Sequence, residues 1–348
     1  MAKQTRDQSN YQRLKQDIRG KTPGNFYIFY GEEAFLLNHY LDELRKLLVD
    51  DLTEAFNSHR FNTENFDIRM LADAVEGLPM MAEHTYVRVD DIDVFKMPED
   101  TRDKLIDLIQ DIPEYCTLVF TYETVAWKPD KRLKKLWTAI EKNACIVEFE
   151  KQEPRDLIPW IGRHFAKHGK RISNDLCSYL IDITGGTMTV LSGEIKKICA
   201  YSCADQIKKC DIDAVTEPVM DAVVFQMTDL MGQGRYSDAL VKLRQLLKMQ
   251  QEPIAILGAI GSHFRRIGVA RTLIDNGKSV QELMKLCSLS SYPAQKTMDA
   301  ARRFSQGFCA VVAELVLETD RQMKTSYDDN DRLLELLVLR LEQEARSG

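Results

Sequence analysis

Residues 26–44, FYIFYGEEAFLLNHYLDEL, pass from an unbroken apolar and aromatic run through one glycine into helical apolar spacing. Phe26 to Tyr30 reads as a buried strand and Gly31 as a tight turn, with a helix expected from about Glu33 to about Val49. A nucleotide-binding α/β domain carries its phosphate loop at such a corner. A working loop needs GxxxxGK[ST]: glycines to open N–H groups, a lysine for phosphate oxygens and a hydroxyl for Mg²⁺. Here the corner is Gly31-Glu32-Glu33-Ala34-Phe35, with one glycine, no lysine and two carboxylates. Carboxylates suit a helix N-terminus, where they take the place of a bound anion. Two readings stay open: an ordinary strand-to-helix corner, or a nucleotide-binding architecture without its nucleotide chemistry.

Strand and helix signals continue to alternate up to residue 150. YQRLKQDI (11–18) has helical spacing, and FNSHRFNT (56–63) reads as a short strand. Asp67 is a good N-cap for a helix over 67–76, which Gly77 and Pro79 end. A strand over 84–92 and a helix over 99–111 follow, the latter with Leu105, Ile106, Leu108 and Ile109 as its apolar face. CTLVFTYE (116–123) is a continuous apolar run, as an inner parallel strand requires. KPDKRLKKLWTAIEKN (128–143) reads as a helix and ACIVEFEK (144–151) as a last strand. The alternation predicts an open parallel sheet with helices on both faces. After Pro154 no convincing strand appears. Short helices separated by breakers lead into longer amphipathic ones from about residue 218 to the end. The fold class is α/β plus all-α, with domains expected at 1–152, 153–217 and 218–348.

Composition narrows the function. The 348 residues carry a net charge of −6 and a pI near 5.7, whereas a chain that grips DNA alone is usually basic. Nucleic-acid contact is therefore expected to be local or shared with partners. The polar opening MAKQTRDQSN has no apolar h-region behind it, so no secretory leader is expected. No apolar run reaches the roughly 18 residues of a membrane span, and a cytoplasmic protein is expected. The eight cysteines form no C-x-x-C pair, and no histidine stands near Cys199, Cys203 and Cys210 to complete a zinc site. Cys199 and Cys203 are read on one helix, and the thiols as reduced and mostly buried. No metal or other cofactor is expected.

No Ser-His-Asp or Cys-His pattern stands out, and no catalytic residue is assigned. His164 and His168 share a helix face without an HExxH around them. Asp90, Asp91 and Asp93 end a strand at the place of a Mg²⁺-binding carboxylate. With no phosphate-binding lysine they are read as capping the next turn. Leu78, Met80 and Met81, stiffened by Pro79, stand between a helix and a strand; they either pack down as core or present an apolar plug to a partner. Lys128, Lys131, Arg132, Lys134 and Lys135 form one basic island, and Arg265, Arg266 and Arg271 another. Each is either a solvated helix face or a set of phosphate contacts.

Together these residues resemble one family, the delta subunits of the bacterial DNA polymerase III clamp loader. The resemblance runs through YIFYGEEAFLL, GLPMMAEHTYVRV, WKPDKRLKKL after the CTLVF strand, TGGTMTVLSGEIKKICAYS, HFRRIGVARTLIDNG and ETDRQMKTS. It rests on their order and spacing over some 300 residues rather than on any single motif. It implies an AAA+ arrangement: an α/β domain, a small helical lid and a C-terminal helical collar that holds a pentamer together. It implies a non-catalytic subunit of a DNA-directed DNA polymerase holoenzyme, neither binding nor hydrolysing ATP, that binds the ring-shaped sliding clamp (beta) and springs it open at one interface. The implied partners are that clamp, the motor subunits (gamma/tau) and delta-prime through the collar, and primer-template DNA within the complex, in a nucleoid-associated replisome with no membrane. By position, the clamp-binding pair is Met80 and Met81, with Leu78 before it, and Gly31, Glu32 and Glu33 are the degenerate phosphate loop. Lys128, Lys131, Arg132, Lys134, Lys135, Arg265 and Arg266 are candidate DNA contacts. The family often has Leu-Phe at the pair, where this chain has Met-Met, and no Ser-Arg-Cys arginine-finger motif is present. The alternatives are an active AAA+ ATPase with an unusual phosphate site and a helical scaffold outside replication.

Overall fold

The computed structural model describes residues 2–289, 291–326 and 328–347, and the chain divides into two compact units, 1–151 and 152–348. In the first, strands and helices alternate: α1 (Ala2–Gly20), β1 (Phe26–Tyr30), α2 (Ala34–Leu48), α3 (Glu54–Asn57), β2 (Ser58–Phe61), α4 (Ile68–Glu76), β3 (Thr85–Asp90), α5 (Glu99–Gln110), β4 (Cys116–Tyr122), α6 (Lys134–Asn143) and β5 (Cys145–Glu148). The five strands form one parallel sheet in the order β2-β3-β4-β1-β5.

The apolar runs become inner strands because both faces of the sheet are covered. Successive side chains alternate in direction. Phe26 and Ile28 therefore join Val87, Val89, Leu118 and Phe120 on one face, under α4, α5 and α6. Tyr27 and Phe29 join Tyr86, Val119 and Val147 on the other, under α1 and α2. All seven residues of β4 are buried.

Two expectations for the first unit are corrected. The expected strand FNSHRFNT begins only at Ser58, because Phe56 and Asn57 close the single turn α3. The helix expected from Lys128 begins at Lys134. Asp130 turns the preceding segment by accepting the Arg132 N–H (3.0 Å) and the Leu133 N–H on its carbonyl (3.1 Å). Lys128, Lys131 and Arg132 therefore lie on a loop.

The second unit is helical: α7 (Pro154–Lys167), α8 (Asn174–Thr184), α9 (Met188–Tyr201), α10 (Lys209–Val215), α11 (Met220–Gly232), α12 (Tyr236–Lys248), α13 (Pro253–Asp275), α14 (Val280–Cys287), α15 (Ser291–Ala301), α16 (Gln306–Thr325) and α17 (Asn330–Ser347). The expected lid and collar both fall within it. α11 to α17 enclose one large apolar core around Phe264, Ile267, Leu334 and Leu341. α8 is tied to α15 by Asp182, which accepts the Tyr292 hydroxyl (2.7 Å) and pairs with Lys296. Cys203 lies beyond the end of α9 rather than on it, and it is exposed like Cys210. Only Cys116, Cys145, Cys177 and Cys309 are fully buried, fewer than expected, and all eight cysteines are free thiols.

Candidate functional site

The carboxyl ends of parallel strands are where open α/β sheets take their ligands. In this chain that edge is filled by its own groups. Gly31 has φ +136, and a Cβ there would stand 2.3 Å from the Phe149 carbonyl oxygen. Glycine thus serves a close backbone approach from the end of β5. Phe149 donates its N–H to Tyr30 (2.7 Å) and accepts the Glu33 N–H (3.0 Å). A backbone N–H that a phosphate loop would offer to an anion is already engaged. Glu33 is buried at the start of α2, and Glu32 is exposed.

On the same edge Asp90 accepts from Arg60 Nε (2.6 Å), Arg88 Nε and Thr121 Oγ1 (2.6 Å). Burial pushes its pKa up, but the Thr121, Arg88 and Arg60 bonds outweigh that and hold it below the ordinary carboxylate range. A carboxylate neutralised by two arginines is poorly placed to hold Mg²⁺. Asp91, at φ +54, caps the chain after β4 by accepting the Glu123, Thr124 and Val125 N–H groups (2.8, 3.0 and 3.0 Å). Asp93 accepts the Phe95 N–H (3.2 Å). Capping is thus the geometry of Asp91 and Asp93, while Asp90 is an ion-pair centre. Among the described residues no group of three or more His, Cys, Asp or Glu side chains is placed to hold a metal ion.

The opposite edge carries the LPMM loop. It lies between α4 and β3, beside the start of β2, because β2 and β3 pair in parallel with Ser58 opposite Tyr86. Leu78, Met80 and Met81 are 77%, 57% and 95% exposed. Of the two readings left open by the sequence, the core reading therefore falls. Leu52, Phe56 and Met70 are exposed too. Among the described residues, every exposed large apolar side chain of the first unit lies between residues 52 and 81.

The loop is held by a side chain that sequence reasoning missed. Asn57 is fully buried. Its Nδ2 donates to the carbonyls of Met80 (2.9 Å) and Thr53 (3.1 Å), and its Oδ1 accepts the Met80 N–H (2.7 Å). Met81 follows at φ +55, a left-handed conformation that costs a non-glycine residue roughly 1–2 kcal/mol. The only sequence signal was an asparagine inside an apolar-polar alternation, with nothing to show a partner 23 positions away.

The basic residues fall in separate places. Lys128, Lys131, Arg132, Lys134 and Lys135 are exposed. Arg132 is forked onto Asp130 (3.0 and 2.8 Å), and Asp130 is pulled down to about 2 by the Arg132 side-chain bond and backbone N–H. Lys131 Nζ stands 5.7 Å from the Trp137 ring centre. Lys134, Lys135 and Lys142 line an open groove between α5 and α6 with Gln110 and Thr138. In the helical unit, exposed Arg265 borders a shallow groove between α13 and α16 floored by Gly261 and Gly268. Arg271 is instead engaged with Asp275. His164 contacts the Trp160 carbonyl one turn back (3.1 Å).

A parallel α/β sheet with a filled phosphate corner, followed by an all-helical unit, defines a nucleotide-binding-like chain whose exposed chemistry lies elsewhere. The family described as DNA polymerase III, delta subunit, matches residues 27–150, and that described as DNA polymerase III delta subunit, C-terminal domain, matches residues 221–341. The DNA polymerase III subunit delta of Bacillus subtilis (strain 168) is 25% identical over 322 residues, covering 90% of this chain and 92% of that one. A probable DNA polymerase III subunit delta of Aquifex aeolicus (strain VF5) is 20% identical over 263 residues, covering 74% of each. The structure of the Bacillus subtilis DNA clamp loader delta protein superimposes with a TM-score of 0.64 at 22% identity, covering 95% of this chain and 99% of that one. The chain belongs to the DNA polymerase III delta subunit family.

Proposed function

We propose that this delta subunit binds the sliding clamp through Leu78, Met80 and Met81 and opens it for loading onto primed DNA, without itself binding or hydrolysing ATP. The observation that carries the reading is the exposure of all three side chains on one braced loop, within the only stretch of the first unit with exposed large apolar side chains among the described residues. Burying each in a clamp pocket contributes roughly 1.5–3 kcal/mol before ordering costs. Opening needs no force beyond that. A ligand that prefers the open or distorted ring shifts its population by the difference in affinity.

The ATP-free reading is supported by the Phe149 backbone against Gly31, the missing lysine and the arginine-paired Asp90. The subunit is then non-catalytic. In the same reading residues 153–217 act as a lid and 218–348 as the collar that joins the motor subunits (gamma/tau) and delta-prime, in a cytoplasmic replisome. The test is Met80→Ala together with Met81→Ala, measured against immobilised clamp and against collar assembly. Clamp affinity should fall at least a hundredfold with assembly unchanged, and unaltered affinity sinks the site assignment. Calorimetric titration with ATP and Mg²⁺ should give no saturable heat. Micromolar binding would favour the active-ATPase alternative.

A further inference from the structure

We infer that Asn57 is a positioning residue for clamp binding: its buried amide forms a two-bond clip on the Met80 backbone that presents the apolar pair before the clamp arrives. This rests on the proposed role of Met80 and Met81 and adds to it the group that sets their geometry.

A surface loop of small or flexible side chains usually samples many conformations, and each must be given up on binding. Met is the extreme case, with three rotatable bonds and no preferred shape. A pair of methionines is therefore a poor anchor unless its backbone is already fixed. Pro79 fixes one dihedral on the entry side. Gly77, on the helix side, donates its N–H to the Asp73 carbonyl (3.0 Å), which ends α4 cleanly. The remaining freedom lies at Met80 and Met81, and there the Asn57 amide pairs with both the N–H and the carbonyl of Met80.

A side-chain amide facing a backbone amide in this way imitates one rung of a β-ladder. Asn57 has no solvent exposure, so the two bonds do not compete with water. Its third bond, to the Thr53 carbonyl, anchors the amide to its own helical turn. The rung holds Met80 while leaving 57% of it, and 95% of Met81, open to a partner. The left-handed φ of Met81 fits the same picture: a sparsely populated backbone conformation persists where surrounding contacts fix it. A shape-adaptable side chain on a fixed backbone combines tolerance of pocket detail with a small ordering cost.

The test uses the full-length chain. In wild type the Met80 amide should exchange slowly with solvent deuterium despite its exposed side chain. Asn57→Ala should accelerate it at least tenfold, leaving amides of β1 and β4 unchanged. Clamp affinity should fall by about tenfold, because the competent loop becomes a fraction of the population. Asn57→Leu keeps the branched shape of the side chain and removes its donor and acceptor, and it serves if the alanine variant fails to fold. Unchanged Met80 exchange in a folded Asn57 variant overturns the clip. Unchanged clamp affinity in that variant, with Met80→Ala/Met81→Ala still losing the clamp, overturns the positioning role alone. If Met80→Ala/Met81→Ala keeps full clamp affinity, the underlying site reading fails, whatever Asn57 does to exchange.

Discussion

At the scale of single residues, two positions bind stability to geometry. Gly31 has a φ that L side chains rarely adopt, and the Phe149 carbonyl occupies the space a Cβ would need. Gly31→Ala must move the end of β5 or rebuild the corner, so a loss of about 3 kcal/mol or more is expected in urea unfolding. A loss under 1 kcal/mol would mean the corner is loosely packed. His263, in α13, is buried edge-on to Phe225 (5.3 Å), and its Nε2 has no hydrogen-bond partner. Burial, with a smaller contribution from Arg266, lowers its pKa from 6.5 to about 4. The unfolded chain therefore takes up a proton in that window that the folded chain refuses. Stability of the helical unit is full above pH 6.5 and falls by up to about 3 kcal/mol as pH drops to 4. Exchange of core α13 amides between pH 7 and 5, corrected for intrinsic rates, should show this slope. His263→Leu should flatten it.

At the scale of elements, the Asp90 knot fastens three neighbouring strands, with Arg60 on β2, Arg88 and Asp90 on β3, and Thr121 on β4. Removing Asp90 leaves the mostly buried Arg88 with only its longer contact to Glu123 (3.5 Å), while Arg60 is largely exposed. Asp90→Ala should destabilise the first unit by about 3 kcal/mol. Because the Asp90 pKa is depressed in the folded state, its contribution is present above the unfolded value and lost as pH falls below about 4. A urea titration at pH 7 that gives less than 1 kcal/mol would assign the knot to the solvated surface. Strands and most helices were legible in the sequence because burial on both faces forces unbroken apolar runs such as CTLVFTY. Two boundaries of the first unit were not, and in the second α9 ends before Cys203. α3 is one turn, too short for any period to register. Before α6, lysine-rich helical spacing outweighed Pro129 and Asp130, whose local turn ends the competition in favour of a loop. The site was half legible. The missing lysine and the LPMM composition stand in the chain, but Leu and Met serve equally in cores and interfaces. What removes the core reading is the exposure of Leu78, Met80 and Met81 on a loop held by the buried amide of Asn57, an arrangement made only by the fold.

At the scale of the whole molecule, an acidic chain carries exposed cationic islands. The net charge of −6 repels nucleic acid at long range, and Asp130 already holds Arg132. The lysines free to meet phosphate are then those whose surroundings hold no close carboxylate partner. Lys134, Lys135 and Lys142 meet that description: they share one groove, and among the described residues no carboxylate lines it. Within the assembled loader, reversing Lys134 and Lys135 to glutamate should weaken primer-template binding uniformly across sequences. Each lost phosphate contact lowers the slope of log affinity against log salt by about 0.9 on duplex DNA. The pair should therefore reduce it by up to about 2. Arg132→Glu is the internal control, because its guanidinium is engaged by Asp130, and it should change the slope less than either lysine. An equal effect of all three would point to a diffuse field of the island rather than to contacts. A slope untouched by the lysine pair would assign the groove to solvent and leave clamp binding as the only interaction proposed for the first unit.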